Sequence, residues 1–265
     1  MLYIVIPVFN RKEFTRACLE SLRAQTEQNF RVVVVDDGST DGTDQMLRTE
    51  FPEVLIEEGD GNLFWTAGVN LGIRRALAEG ATRVMTLNND VLTAPDFLAR
   101  MLSWAERHPT AVLGALELDV TTGQPVYGGE TLDWRTNTRQ DLLEILPAEQ
   151  RRGLHPVTYL PGRGLLIPRL VLETIGLFDE KRLPHYLADF DYTSVARRHG
   201  FPVYCNYDAQ LSTYPEESGQ EITRRQRSLR GYYQHLFGIR VAATCATSRI
   251  SASRTAPGPT SPTSC

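Results

Sequence analysis

The sequence predicts an α/β fold in which helices flank a mostly parallel sheet, because strand-like and helix-like segments alternate along its first 110 residues. Residues 3–7 form a continuous apolar, β-branched run, which is typical of a strand buried on both faces. Asn10 is a predicted N-cap, and the residues behind it recur at helical spacing before a second strand at residues 30–35. Such β-α-β units bind ligands at the carboxyl ends of their strands.

The same alternation continues beyond this first unit. Further helices are predicted at residues 41–50, 67–79, 96–107, 168–175 and 189–199, and further strands at 54–56 and 83–87. After residue 118 the chain becomes rich in turn residues, so a less regular second half is expected. We therefore expect a single domain with a regular half at residues 1–110 and an irregular half at residues 111–240.

The end of the chain changes composition. Residues 241–265 consist largely of Ala, Thr, Ser, Arg and Pro, and we expect this tail to be disordered. So abrupt a change is also what a truncated or frame-shifted end produces. Before the tail, residues 224–237 place apolar and aromatic side chains on one helix face and arginines on the other. That helix is expected either to dock on the core or to contact a membrane through its basic face.

The composition disfavours several classes of function. Of the 265 residues 42% are hydrophobic, and the net charge of −4 with a pI near 5.8 gives no general attraction for nucleic acid. The four cysteines stand far apart, which implies neither zinc nor disulfides and favours a reducing cytoplasm. No apolar run approaches the roughly 20 residues that span a bilayer. We expect a cytoplasmic protein with, at most, peripheral contact at the inner face of the membrane.

Two predicted strands end in acidic, turn-forming residues. Residues 32–35 lead into Asp36-Asp37-Gly38-Ser39, and residues 83–87 lead into Asn88-Asn89-Asp90. Each motif is a plausible turn, since these residue types favour tight backbone geometry. At a strand end, Asp37 is equally suited to accept the N3–H of uracil or thymine, and Asp90 is a hard oxygen ligand of the kind that magnesium or manganese uses together with substrate phosphates.

Four ordered motifs together resemble one known family. In order and spacing they are similar to family 2 inverting glycosyltransferases with the GT-A fold, over roughly residues 1–207. A further segment, Gly61-Asn62-Leu63-Phe64-Trp65-Thr66-Ala67-Gly68-Val69-Asn70, resembles a rhamnosyltransferase-like subgroup. The four motifs are Ile4-Val5-Ile6-Pro7-Val8-Phe9-Asn10, Val34-Val35-Asp36-Asp37-Gly38-Ser39-Thr40-Asp41-Gly42-Thr43, Leu87-Asn88-Asn89-Asp90 and Gly176-Leu177-Phe178-Asp179-Glu180.

The resemblance implies transfer of a sugar from a nucleotide-diphospho-sugar, with dTDP or UDP favoured over GDP, to a saccharide or lipid-linked acceptor. Residues 1–110 would then bind the nucleotide-sugar, and residues 111–240 the acceptor. Asp37 matches the acid that contacts the base, and Asp90 matches the acid that binds a divalent metal, manganese or magnesium. Asp189 aligns with the general base that deprotonates the acceptor hydroxyl, so the anomeric configuration should invert.

The remaining assignments under this resemblance concern substrate binding, and three of them keep an alternative. Arg163 either holds phosphate bidentately or forms a structural ion pair. Trp65 either stacks on a ligand or packs in the core. Asp191 either orients the acceptor or interacts with a nearby arginine. The full set of predicted substrate-binding residues, besides Asp37, is Pro7, Phe9, Asn10, Trp65, Asn70, Asn89, Gly162, Arg163 and Asp191.

Three positions depart from the family pattern. Asn88 replaces the usual first acid of the metal motif, and Ala188 replaces a common glutamate. Residues 211–214 lack the histidine that joins the metal site in many relatives. These departures keep a non-catalytic nucleotide-sugar or glycan-binding module as an alternative. A sugar-phosphate nucleotidylyltransferase is a second alternative, disfavoured because Pro7-Val8-Phe9-Asn10 stands where that class needs a Gly-rich, basic loop.

Overall fold

The computed structural model describes residues 1–133 and 135–214. The predictions for residues 224–237 and 241–265 lie outside this part of the chain. In chain order the strands and helices are β1 (Leu2–Val8), α1 (Lys12–Arg23), β2 (Phe30–Asp36), α2 (Thr43–Glu50), β3 (Leu55–Glu58), α3 (Phe64–Ala78), β4 (Arg83–Thr86), β5 (Val91–Thr93), α4 (Phe97–Arg107), β6 (Val112–Asp119), β7 (Pro125–Tyr127), β8 (Glu130–Asp133), β9 (Thr138–Asp141), α5 (Leu142–Ile145), β10 (Leu154–Pro156), β11 (Leu165–Pro168), α6 (Arg169–Ile175), α7 (Ala188–Arg198) and β12 (Val203–Thr213).

Ten of these strands form one sheet, in the order β10-β12-β6-β11-β4-β1-β2-β3, with β5 paired to β12 and β7 to β6. Strand β1 is parallel to β2 and β4, β2 is parallel to β3, and β6 is parallel to β12. Strand β11 is antiparallel to both β4 and β6, so six strands point the same way and end at one edge of the sheet. The predicted α/β fold with a mostly parallel sheet is confirmed.

The sheet is buried on both faces, as the apolar run in β1 predicts. Successive side chains of a strand point to opposite faces. Accordingly, Ile4 and Ile6 belong to one core cluster, while Tyr3 and Val5 belong to the other. Helix α3 packs on the second face, where a β-carbon at Gly72 would lie 2.3 Å from a methyl group of Val5. The two clusters hold β1 and its neighbours in place, so the loops at their carboxyl ends start from fixed positions.

Most predicted elements lie within a few residues of their predicted bounds, but the N-cap assigned to Asn10 is wrong. Arg11 occupies the N-cap position of α1, and Asn10 and Arg11 have left-handed φ values of 57° and 65°. The Asn10 side chain bonds the loop after β2 instead: its Oδ1 accepts the N–H of Thr40 at 3.0 Å. A second bond runs from the Asn10 N–H to Ser39 Oγ at 2.7 Å. The neighbouring loop competes successfully for the side chain that would otherwise cap the helix.

Both parts of the chain contribute strands to the same sheet. Strands β1 to β4 come from residues 1–110, while β6, β10, β11 and β12 come from later residues. The division of roles at residue 110 stays a prediction. None of the helices in the described part of the chain has the length and apolar composition that crossing a bilayer requires.

Candidate active site

The loops that follow the parallel strands carry most of the strained backbone. Five described non-glycine residues have a positive φ: Asn10, Arg11, Phe64, Asn137 and Leu187. Such conformations cost of the order of 1–3 kcal/mol each and persist only where the surrounding structure holds them. All except Asn137 are, or lie within two residues of, residues that the sequence assigns to substrate binding or catalysis. The strain therefore singles out this edge of the sheet as the candidate site.

A pocket of about 280 Å³ lies beside the ends of β1 and β2. It brings together four of the predicted substrate-binding residues, Pro7, Phe9, Asp37 and Trp65. Phe64 also lines it, and Phe9 and Phe64 are 57% and 47% exposed although both are large and apolar. An apolar pocket with aromatic walls and one carboxylate suits a flat heterocycle that presents a hydrogen-bond donor.

Asp37 holds the loop that closes one side of this pocket. Its two carboxylate oxygens accept the backbone N–H groups of Gly61 at 2.8 Å and Leu63 at 2.9 Å. The loop approaches so closely that a β-carbon on Gly59 would lie 2.4 Å from Asp37 Oδ1. Each carboxylate oxygen has about two lone-pair directions, so Asp37 retains the capacity to accept a hydrogen bond from a ligand while it anchors the loop.

Asp90 is paired with a cation that the sequence analysis did not single out. Arg11 Nη1 lies 2.8 Å from Asp90 Oδ2, and the guanidinium also lies over the Phe14 ring at 5.1 Å from its centroid. The backbone that presents Arg11 is fixed on both sides. Asn10 binds the loop after β2, as described above, and the Lys12 N–H donates to Asp41 Oδ2 at 2.8 Å. The strained turn therefore holds a positive charge at the predicted metal carboxylate.

The side chains around Asp90 supply few donors for a divalent ion. Asn88 Oδ1 accepts Trp65 Nε1–H at 2.9 Å, and Asn89 Nδ2 donates to Thr15 Oγ1 at 3.0 Å. Across residues 1–133 and 135–214, no group of three or more His, Cys, Asp or Glu side chains is placed to hold a metal. One carboxylate still fits an ion that takes its other ligands from substrate phosphates and water. The site therefore fits a metal that binds jointly with a diphosphate and competes with Arg11 for Asp90.

Asp189 lies in the first turn of α7 and is held by backbone groups. Leu187, with a φ of 64°, occupies the N-cap position, so Asp189 does not cap the helix. Its Oδ2 accepts the N–H of Gly162 at 2.7 Å, and its Oδ1 accepts the N–H of Phe190 at 2.9 Å. Burial raises the pKa of Asp189 above its ordinary value, while these N–H groups and the Arg163 charge act in the opposite direction. The result is a carboxylate that is fixed in position and more basic than an exposed aspartate.

Gly162 connects Asp189 to the other loops of the site. Besides binding Asp189 through its N–H, Gly162 accepts the Thr86 hydroxyl through its carbonyl at 2.6 Å. The Trp65 ring lies against its α-carbon, since a β-carbon there would be 2.3 Å from the ring. Trp65 in turn bonds Asn88 and lines the pocket. Core packing alone thus does not describe Trp65, because the residue lines the pocket and also contacts Asn88 and Gly162.

Arg163 forms a buried ion pair with Glu117, a second residue that the sequence analysis missed. Arg163 Nη2 lies 2.8 Å from Glu117 Oε2, and the Glu117 side chain is only 1% exposed. Neither Glu117 oxygen has a further hydrogen-bond partner among the described residues. Burial raises the pKa of Glu117 to about 6, and the Asp189 and Asp90 charges raise it too. The available signal was an acidic residue between the apolar residues Leu116 and Leu118 of strand β6.

Three predicted substrate-binding side chains, those of Asn70, Asn89 and Asp191, are buried and do not line the pocket. Asn70 is 1% exposed and donates to the Phe178 carbonyl and to Glu180, while its Oδ1 accepts the Phe178 N–H. Asn89 is 8% exposed and bonds Thr15, and Asp191 is 2% exposed. The geometry gives Asn70 and Asn89 internal bonding roles, and their contact with substrate stays a prediction.

A mostly parallel sheet with a pocket and two carboxylates at its strand ends is the arrangement expected for a GT-A glycosyltransferase. Residues 3–175 match the family model described as Glycosyl transferase family 2, and the chain belongs to this family. The predicted family is confirmed. An N-acetylglucosaminyl-diphospho-decaprenol L-rhamnosyltransferase of Mycobacterium tuberculosis is 30% identical over 200 residues, which are 65% of this chain and 62% of that relative. An uncharacterised protein of the same organism is 26% identical over 219 residues, 80% of this chain and 74% of that protein.

Solved structures agree on the fold. TarS of S. aureus (residues 1–349) in complex with UDP superimposes with a TM-score of 0.60 and 18% identity, and the match covers 80% of this chain and 60% of that chain. GalNAc-T7 with UDP, GalNAc and Mn²⁺ gives a TM-score of 0.66 with 14% identity, covering 81% of this chain and 44% of that one. At these identities the similarity establishes the GT-A fold.

Proposed function

We propose that this family 2 glycosyltransferase moves a sugar from a nucleotide-diphospho-sugar to an acceptor hydroxyl with inversion at the anomeric carbon. The observation that carries the proposal is Asp189, a carboxylate with a raised pKa that two backbone N–H groups hold at the sheet edge. A general base needs this combination of fixed geometry and raised basicity. Family membership favours transfer over the nucleotidylyltransferase alternative.

The donor's nucleoside is assigned to the pocket beside β1 and β2. Phe9 and Pro7 would pack on the base, and Asp37 would accept the N3–H of uracil or thymine. A guanine presents a different hydrogen-bonding edge and is larger, so dTDP-sugars or UDP-sugars are favoured over GDP-sugars. The presence of UDP in the TarS and GalNAc-T7 structures supports a pyrimidine nucleotide in this fold.

The donor's diphosphate is assigned to the neighbourhood of Asp90 and Arg11. Asp90 is the residue that would hold manganese or magnesium, which when bound neutralises charge on the departing diphosphate. Arg11 would leave Asp90 as the metal binds, since the guanidinium and the ion compete for the same carboxylate. Mn²⁺ in the GalNAc-T7 structure supports a metal with this fold.

In the proposed reaction Asp189 accepts the proton of the acceptor hydroxyl as that oxygen forms a bond to the anomeric carbon. The bond from the anomeric carbon to the phosphate oxygen breaks, and its electron pair leaves with the nucleotide diphosphate. Attack from the face opposite the leaving group inverts the configuration. The acceptor is proposed to be a saccharide or lipid-linked saccharide, in line with the decaprenol-linked substrate in the name of the mycobacterial relative.

A nucleotide-release assay tests this proposal. The protein is incubated with dTDP-, UDP- and GDP-sugars, with and without manganese, and with a synthetic N-acetylglucosaminyl-diphospho-lipid as acceptor. We expect release from a dTDP- or UDP-sugar, stimulated by acceptor, with the product configuration read by NMR. Asp189→Asn is the control that should bind nucleotide without turnover. Binding of nucleotide with no release from any donor would favour the non-catalytic module instead.

A further inference from the structure

The Glu117–Arg163 ion pair lies next to the loop that holds Asp189. Arg163 follows Gly162 directly, and Gly162 donates its N–H to Asp189 at 2.7 Å. The Arg163 side chain is 24% exposed and the Glu117 side chain is 1% exposed, so most of this pair is removed from water. A buried cation without a carboxylate partner is strongly unfavourable. Three carboxylates act on Arg163, namely Glu117, Asp90 and Asp189, and Glu117 is the one that contacts it.

The choice of partner matters for the candidate base. If the guanidinium paired with Asp189, it would stabilise the charged carboxylate and occupy a lone pair that must accept the acceptor's proton. In the structure the Asp189 oxygens instead accept backbone N–H groups, which have fixed positions. Arg163 contacts Glu117, on strand β6, instead.

Given the glycosyl transfer proposed above, we propose that Glu117 is a positioning residue that holds the Arg163 guanidinium on strand β6 and thereby keeps it from pairing with Asp189. Glu117 itself does not touch the reacting atoms. Its two oxygens have no other hydrogen-bond partner among the described residues, so Arg163 is the group through which it acts.

The charged and titratable groups around Glu117 are few. Arg163 faces it from the loop that contains Gly162, and Asp189 and Asp90 act on it from α7 and from the loop between β4 and β5. Tyr127 on β7 and Cys205 on β12 are also influenced by the Glu117 charge. Burial raises the pKa of both Tyr127 and Cys205 and keeps them neutral, so the balance at this site depends on Arg163 and the three carboxylates.

The first test measures the titration of Asp189 directly and needs no turnover. The protein is labelled with carbon-13 at its aspartate carboxyl groups, and Asp189→Asn identifies the Asp189 signal. In Glu117→Gln we expect the Asp189 carboxyl to titrate about one pH unit lower than in the wild type, because the released guanidinium favours its charged form. Glu117→Asp retains the charge and should restore most of the wild-type titration.

Two controls keep the result specific. Glu130→Gln removes another buried glutamate that pairs with an arginine, Arg139, on the separate β8–β9 sheet, and it should leave Asp189 unchanged. In the Arg163→Gln background, adding Glu117→Gln should lower the Asp189 titration by less than it does in the wild type, because only the direct charge repulsion between Glu117 and Asp189 is then lost. An unchanged Asp189 titration in folded Glu117→Gln, or the same shift with and without Arg163, overturns the proposal.

The second test is the pH profile of transfer. Glu117→Gln should lower the plateau rate by about three- to tenfold, as expected for a weaker base, and shift the acid limb to lower pH. The Michaelis constant for the donor should change less than the turnover number. A shifted Asp189 titration in a protein that releases no nucleotide would reject the proposed function while supporting the role of Glu117. Normal transfer by Glu117→Gln with an unshifted Asp189 titration would support the proposed function and reject the role of Glu117.

Discussion

Asp90 and Asp189 are both carboxylates at the same edge of the sheet, but they are held in different ways. Asp90 is paired with the side chain of Arg11, whereas Asp189 is bound by the backbone N–H groups of Gly162 and Phe190. A long side chain can exchange its partner, while a backbone N–H cannot move without the loop. The difference suits the proposed roles, because a metal ligand must release its counter-ion and a base must keep its position.

The largest effect is expected at the fixed carboxylate. Asp189→Asn keeps the shape and removes the proton acceptor, so transfer should fall by about 10²–10⁴-fold, the range of general-base catalysis. Nucleotide affinity, measured by calorimetry, should stay within about twofold of the wild type because Asp189 does not line the proposed nucleoside pocket. Nearly the full rate in Asp189→Asn would show that Asp189 is not the general base.

Replacing Asp90 should lower the transfer rate by a smaller factor that depends on the metal concentration. Asp90→Asn should lower transfer by about 10- to 100-fold at fixed manganese and weaken the response to added metal. Asp96→Asn is a suitable control, since Asp96 makes an ion pair with Arg100 on α4. The measurement is nucleotide release against manganese concentration. The same metal response in Asp90→Asn and wild type would place the metal elsewhere.

Gly162→Ala tests how rigid the loop is that contains Gly162 and binds Asp189 through its backbone N–H. The new β-carbon would lie 2.3 Å from the Trp65 ring, and relieving such overlap typically costs about 1–3 kcal/mol of unfolding free energy. Gly68→Ala is the matched control, because its β-carbon would lie 3.3 Å from the Pro7 β-carbon. Both are followed by denaturant unfolding. Equal, small losses in the two variants would mean that the loop shifts easily.

A pH-dependent stability difference should report on the third carboxylate, Glu117. Its pKa rises from an ordinary 4.5 to about 6 in the folded protein. The folded state then binds the Glu117 proton more tightly. The contribution of Glu117 to the free energy of unfolding is therefore highest below pH 4.5, falls between pH 4.5 and 6, and is constant above pH 6. The rise corresponds to about 2 kcal/mol. Subtracting the unfolding curve of Glu117→Gln from that of the wild type should isolate this fall, and a flat difference would show that Glu117 is not destabilised by burial.

The smallest effect is expected from replacing Arg11, the cation that pairs with Asp90. In Arg11→Gln the guanidinium no longer competes for Asp90, so the manganese concentration for half-maximal activity should fall by about three- to tenfold. Arg11→Lys, which keeps the charge, is the control and should stay near the wild type. A rise in the manganese requirement would contradict competition and indicate that Arg11 helps to bind the metal-diphosphate complex.

The sequence was sufficient for the sheet, because strands depend on local apolar patterns such as residues 3–7, which predict β1. The assignment of Asp189 as the base rests on the family resemblance and stays a prediction. The sequence was insufficient for Arg11 and Glu117, whose partners are 79 and 46 residues away along the chain. Their pairing depends on strand order and on how loops cross the sheet edge, which no spacing in the sequence encodes.

Asn10 illustrates the same limit at short range. Its residue type favours a helix cap, yet the loop after β2 offers Ser39 and Thr40 as competing partners. The cap prediction considered only neighbours in sequence. Once β1 and β2 pair in parallel, the loops at their ends meet, and the competition is decided by tertiary contact.

Trp65 gives the protein an optical reporter of its own. Its indole lines the proposed nucleoside pocket and donates to Asn88 next to Asp90, so its fluorescence should respond when a nucleotide enters. The chain has three tryptophans, and Trp104 lies elsewhere, bonded to Asp208 on β12. With Trp104 and Trp134 replaced by phenylalanine, the remaining emission would follow donor binding in real time without any added dye.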